Sequence, residues 1–129
     1  MSTINAANIT DGTDTVATGY VVNGSIKAWS NINQTNTQVI RDSLNTSSLT
    51  DDAVGNTRIT YTSAFNNTNY CHFGTSSGTG GANGDHGFVP HASGSGNTTS
   101  QSHQVRCARH DANRTDVEFL MHGTIGDLA

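Results

Sequence analysis

Six histidines, at 72, 86, 91, 103, 110 and 122, are the side chains of this 129-residue sequence best suited to chemistry, because imidazole titrates near neutrality and ligates metals. A structural zinc site needs ligands paired at tight spacing, such as Cys-x-x-Cys with His-x-x-x-His, and the sequence contains no such pairing. His86 and His91 come nearest, but they stand in a glycine-rich stretch with only Asp85 beside them. Gly80-Gly81-Ala82-Asn83-Gly84-Asp85 approaches the calcium-binding nonapeptide, with Asn83 where the second glycine belongs. It occurs once, whereas the nonapeptide site is shared between stacked repeats. Asn83 also spoils the same stretch as a dinucleotide loop, and no βαβ unit surrounds it. Nucleophilic catalysis lacks a Gly-x-Ser-x-Gly elbow, and glycoside cleavage would have to draw on scattered aspartates and a single glutamate, Glu118. Neither an enzyme nor a metal or other cofactor is expected.

Binding is the better use of these residues. Phe88, between His86 and His91, is an apolar side chain in a polar stretch, which marks a contact. Phe88, His86 and His91 are therefore the candidate ligand contacts. Arg106 and Arg109, near His103 and His110, form the one local basic cluster. They read as a solvated strand face or as intersubunit salt links to Asp111 or Asp116. With Trp29 and Tyr61 they are the candidate subunit-interface residues.

The elements that carry these residues alternate with period two, the pattern of half-buried strands. Ile26 and Ala28 face one way while Lys27 and Trp29 face the other, an outer strand whose Trp packs across a subunit boundary. A strand is expected over 37–45, a turn over 50–56 and a strand over 57–63 with Arg58, Thr60 and Thr62 out and Ile59 and Tyr61 in. A further strand over 70–75 carries Cys71 and Phe73 on one face. Residues 76–100 are rich in Gly, Ser, Thr and Asn and exceed an ordinary hairpin loop. They read as a projecting loop with a short strand at 86–91 and Phe88 at its tip. Strands over 101–111 and 116–124 follow, the last dividing Val117, Phe119 and Met121 from Glu118, Leu120 and His122. Residues 1–24, with turn signals at Asp11-Gly12 and Asn23-Gly24, read as an extended arm with at most one strand. The fold class is all-β, and the even spacing of strands favours an antiparallel sandwich of jelly-roll type over 25–129.

Composition says how such a domain is stabilised. Leu, Ile, Val and Phe number only 23, whereas Asn, Thr, Ser and Gly number 60. A small domain with so few core residues can remove further apolar surface at a symmetric interface, so an obligate oligomer is expected. Six basic against ten acidic residues leave a net charge of -4 and no footprint for nucleic acid or an anionic membrane. No window approaches the roughly 18 apolar residues of a membrane span, and the first 25 residues show no basic stretch followed by an apolar run. Cys71 and Cys107 lie 36 residues apart in two expected strands; a bridge is geometrically allowed, but a reducing cytoplasm would keep them as thiols.

One stretch adds a resemblance. Lys27-Ala28-Trp29, then Arg41-Asp42-Ser43-Leu44-Asn45-Thr46-Ser47-Ser48-Leu49-Thr50-Asp51, then Ile59-Thr60-Tyr61-Thr62 and onward to Asn69-Tyr70 resembles a repeated β-module of bacteriophage virion structural proteins of the marine-phage tail-fibre type. The match covers about a third of the chain. It implies a virion component assembled in the host cytoplasm, a homotrimeric fibre or spike attached to other virion proteins through residues 1–24, with a host surface glycan or protein as the further partner. A capsid decoration protein and a lectin-like carbohydrate-binding module are the alternatives.

Overall fold

The computed structural model describes residues 5–77, 86–89, 98–109 and 113–129, and for 86–89 and 109 the backbone alone. Its elements, in chain order, are β1 Asn8–Thr10, β2 Thr15–Ala17, α1 Thr18–Gly24, β3 Ile26–Asn33, β4 Val39–Leu44, β5 Thr46–Ala53, β6 Asn56–Tyr61, β7 Cys71–Ser77, β8 His86–Val89, β9 Thr98–Thr99, β10 Ser102–Arg109 and β11 Phe119–Ile125. The protein is all-β apart from one two-turn helix among the described residues. Every strand pairing is antiparallel. They form a β1-β2 ribbon, a sheet in the order β5-β6-β10-β8 with β9 also on β10, and a sheet in the order β4-β3-β11-β7.

The two larger sheets turn their buried faces to a common core. Ile32, Val117 and Leu120 come from β3 and the β11 segment, Ile59, Val105 and Cys107 from β6 and β10, and Leu49 of β5 packs against them. A second cluster joins Ala28 to Tyr61, Phe65 and Tyr70, with Tyr61 edge-on to Phe65 at 4.8 Å and Phe65 stacked on Tyr70 at 4.5 Å. Polar groups caught between the sheets are partnered only in part: His103 Nε2 has no hydrogen-bond partner among the described residues, whereas Gln34 is held at both ends of its amide, as burial favours. Gln34 donates from Nε2 to Thr57 Oγ1 at 2.8 Å and accepts the Val117 N–H at 3.2 Å.

Several strands fall where alternation put them, including β3, β4, β6 and β10. Other expectations need correction. The turn expected over 50–56 is confined to Val54-Gly55, because β5 runs to Ala53 and pairs with β6 along its length. Residues 5–24 hold a hairpin and a helix instead of at most one strand; Asp11 caps the hairpin turn by accepting the N–H groups of Thr13 and Asp14. The segment at 86–89 is a strand, but its backbone is hydrogen-bonded along β10 and so belongs to the sheet, not to the tip of a projecting loop. β9 occupies the same edge of β10 at Ser102 and His103. The remainder of 76–100, apart from β7, β8 and β9 and Ser100, lies outside the described residues.

Candidate functional site

The outer face of the β4-β3-β11-β7 sheet is built by register. Trp29 pairs with Leu44 on one side and Gly123 on the other, and Gly123 pairs with Phe73. In an antiparallel ladder directly opposed residues share a face, so Leu44, Trp29, Gly123 and Phe73 form one row across four strands. The next row runs Asp42, Asn31, Met121 and Thr75. Phe119 follows beside Arg41, whose guanidinium lies 4.1 Å above the ring, donates to the Glu118 carbonyl at 2.7 Å and stands 3.6 Å from the Glu118 carboxylate.

This face is apolar and unprotected: Leu44 is 49% exposed, Phe73 43% and Met121 40%, with Trp29 half-buried between them. Gly123 shapes it. A Cβ there would collide with the Phe73 ring, which lies over the bare backbone. The depression beside it, about 360 Å³, is lined by Phe73, Thr75, Met121 and Gly123 among others. The opposite sheet presents a different outer surface, with Arg58 bound to Asp52 at 3.0 Å and Gln104 donating to the same carboxylate.

Between the sheets lies the second feature, a histidine cluster. His72, His103 and His122 come from β7, β10 and β11; His72 and His103 stack at 4.0 Å and His103 lies 4.8 Å from His122. Thr124 Oγ1 is within hydrogen-bond distance of Tyr61 Oη at 3.0 Å, His122 Nε2 at 3.3 Å and His72 Nδ1 at 3.4 Å. One donor and two acceptor positions on a hydroxyl match three partners. Tyr61 Oη also meets His103 Nδ1 at 2.7 Å, and Ser30 Oγ meets His122 Nδ1 at 2.8 Å.

Burial sets the electrostatics of this layer. It holds His103 well below its usual range, helped by the charges His122 and His72 would carry, and it pushes His122 down to about 3, helped by His72. The same desolvation pushes the Tyr70 hydroxyl up to about 12 and raises Tyr61 further. Ser30 and His122 have the separation of an activated nucleophile and its base, but both are buried and no substrate atom can reach Ser30 Oγ. The stacked rings do not converge on a point, and no group of three or more His, Cys, Asp or Glu among the described residues could hold a metal ion. His103 and His122 are therefore packed in the core as neutral rings, with the half-buried His72 stacked on His103.

The residues singled out from sequence divide among these places. Trp29 lies on the apolar outer face. Tyr61 is 1% exposed and packed inside its own protomer, so it cannot line an interface between subunits; its outward neighbours Arg58 and Thr60 hold that side of β6. His86 and Phe88 pair by backbone with Arg109 and Cys107, which brings the expected contact segment alongside the expected basic cluster. Arg106 is half-buried and its Nε has no partner among the described residues. His91 and His110 lie outside the described residues. Cys71 is exposed and Cys107 buried, both as free thiols.

Sequence reasoning missed the grouping of His72, His103 and His122, whose only signal was that each stands on an alternating strand. It also missed Phe119 and Met121 as surface residues. Among the described residues no helix is long and apolar enough to cross a membrane. No family model, curated protein or solved structure matches this chain.

Proposed function

We propose that this chain is a structural module of a bacteriophage virion, a tail-fibre or spike unit that works as a trimer of antiparallel β-sandwiches, attaches to the particle through residues 1–24 and meets the host surface through the 76–100 region. The observation that carries the reading is the apolar outer face of the β4-β3-β11-β7 sheet. A monomeric protein seldom leaves Leu, Phe and Met side chains contiguous on a sheet face, and assembly with identical copies covers them. The segment that resembles phage modules supports the same reading, since its Trp29 and Leu44 are members of that face. A fibre or spike gains strength from repetition of weak contacts, which suits a chain whose other outer surface is polar, with Arg58 and Gln104 bound to Asp52.

A capsid decoration protein is the second reading. It draws on residues 5–26, all exposed except Thr18, which could clamp a neighbouring shell subunit. The number of copies per purified phage particle, counted against the major capsid protein by quantitative mass spectrometry, tests both. A few tens or fewer places the chain at a fibre or spike; several hundred places it on the shell; absence from particles overturns the virion reading.

A further inference from the structure

Two apolar surfaces of this chain are left uncovered by the described residues. One is the sheet face just described. The other is α1, where Tyr20 is 78% exposed, Val21 and Val22 are exposed, and no residue is buried. Only its ends are held locally: the Thr18 N–H and hydroxyl donate to carbonyls of Ala6 and Ala7, and the Ser25 hydroxyl and Lys27 ammonium donate to the Val22 carbonyl. Its N-cap, Ala17, makes no side-chain hydrogen bond, and no charged residue stands in its first or last turn to meet the dipole. It contains two valines and two glycines, and seven residues are far below the length at which a helix persists in water. Its stability must come from a surface outside it.

We propose that α1 of one copy docks on the β4-β3-β11-β7 face of a neighbouring copy, with Tyr20 seated in the depression between Phe73 and Met121. The chemistry of the two surfaces agrees. α1 is uncharged, and so is the centre of the face, where Trp29, Asn31, Phe73, Thr75, Met121 and Gly123 meet; Lys27, Arg41, Asp42 and Glu118 stand around its margin. The sizes agree too. Seven helical residues span about 10 Å, the width of two strand spacings of about 4.8 Å, which carries the helix across β11 and β7. The Phe73 ring itself covers Gly123, and the recess opens beside that ring, bordered by Thr75 and Met121; an amphipathic aromatic fills such a recess while keeping its hydroxyl wet. α1 joins β3 through Ser25 alone and does not lie on its own sheet, so the exchange runs between chains. A head-to-tail contact of this kind closes into a ring when its rotation is a whole fraction of a turn, a third for a trimer. The inference rests on the proposed assembly of identical copies and leaves the β1-β2 hairpin free to meet the particle.

The test uses the full chain in a Cys71→Ser background. A tagged Tyr20→Cys chain and an untagged Thr75→Cys chain are co-expressed and mildly oxidised, and wild-type and Tyr20→Asp proteins are compared by sedimentation. Expected are a tagged-to-untagged disulfide within the assemblies and association weakened about tenfold or more by Tyr20→Asp, with the unfolding midpoint of the dissociated protein unchanged. Assemblies that persist without the mixed disulfide and ignore Tyr20→Asp overturn the docking and leave the homo-oligomeric reading standing. A wild-type chain that stays monomeric at tens of micromolar overturns both.

Discussion

Gly55 is the position where a single methyl would do most harm. Its φ of +66° suits glycine, and a Cβ would stand 2.5 Å from the Cys107 carbonyl oxygen and 2.7 Å from the Thr115 nitrogen, backbone atoms that cannot rotate away. The turn is also tied by Gly55 N–H donation to Asp116 at 2.7 Å and by its carbonyl accepting from Cys107 N–H at 2.7 Å. Gly55→Ala is expected to cost about 2 kcal/mol or more, whereas Gly12→Ala, strained but in open space, costs about 1; urea unfolding of the two variants measures the difference. The histidines give a second residue-scale prediction. Because the folded protein holds His103 and His122 neutral below their unfolded value of 6.5, the unfolded chain binds more protons as pH falls. Their contribution is full above pH 6.5 and is lost toward pH 3, at up to about 1.4 kcal/mol per pH unit for each proton. Unfolding free energy should fall steeply from pH 6 to pH 4, and His122→Asn should flatten that fall; a level profile would remove the cluster as its cause. Cys71 should react with a maleimide in the folded protein, while Cys107, its thiol pushed up to about 12 by burial, should react only on unfolding.

At the scale of elements, the chain divides into parts that hold the core and parts that do not. β3, β6, β10 and β11 supply the residues with no exposure, and Ile59→Ala or Leu120→Ala should cost about 3 kcal/mol. β1, β2 and α1 contribute none of the buried core residues. Removing residues 1–24 is therefore expected to leave the unfolding free energy of the dissociated protein within about 0.5 kcal/mol, a result that chemical denaturation at low concentration reads directly. β11 shows how an element can face against its own hydrophobicity. Phe119 and Met121 point out while His122 and Thr124 point in, because register sets His122 opposite Ser30 and Thr124 opposite Ala28. Small partners on β3 leave room for the imidazole, and a slip of one residue would exchange the two sets.

At the scale of the whole molecule, the poverty in Leu, Ile, Val and Phe has a structural counterpart. Two small apolar clusters and a layer of hydrogen-bonded His, Tyr, Thr and Gln fill the space between the larger sheets, and much of the remaining apolar surface lies outside, on one sheet face and one helix. Assembly through that surface should be driven by apolar burial with few charges involved. Its midpoint concentration is then expected to change little between about 0.05 and 0.5 M salt, where screening lengths shorten severalfold, as sedimentation across that range would show. A steep salt dependence would move the contact to the Arg58, Asp52 and Arg106 side of the molecule.

The sequence by itself determined the all-β class and most of the strands that bury one face, because period-two alternation is a local consequence of the pleat; Arg58 to Tyr61 is the clearest case. It could not disclose β5, since Thr46 to Ala53 is polar on both faces and only Leu49 touches the core; pairing with β6, a non-local event, makes it a strand. On β6 the sequence told which half turns inward, Ile59 and Tyr61, but on β3, β7 and β11 it did not. Elsewhere that choice belonged to register, which placed the 86–89 segment on the edge of β10 and exposed Phe73, Phe119 and Met121. The meeting of His72, His103 and His122 was likewise decided only by tertiary structure, because residues from three strands far apart in the chain become neighbours only when the strands of both sheets have been brought into register.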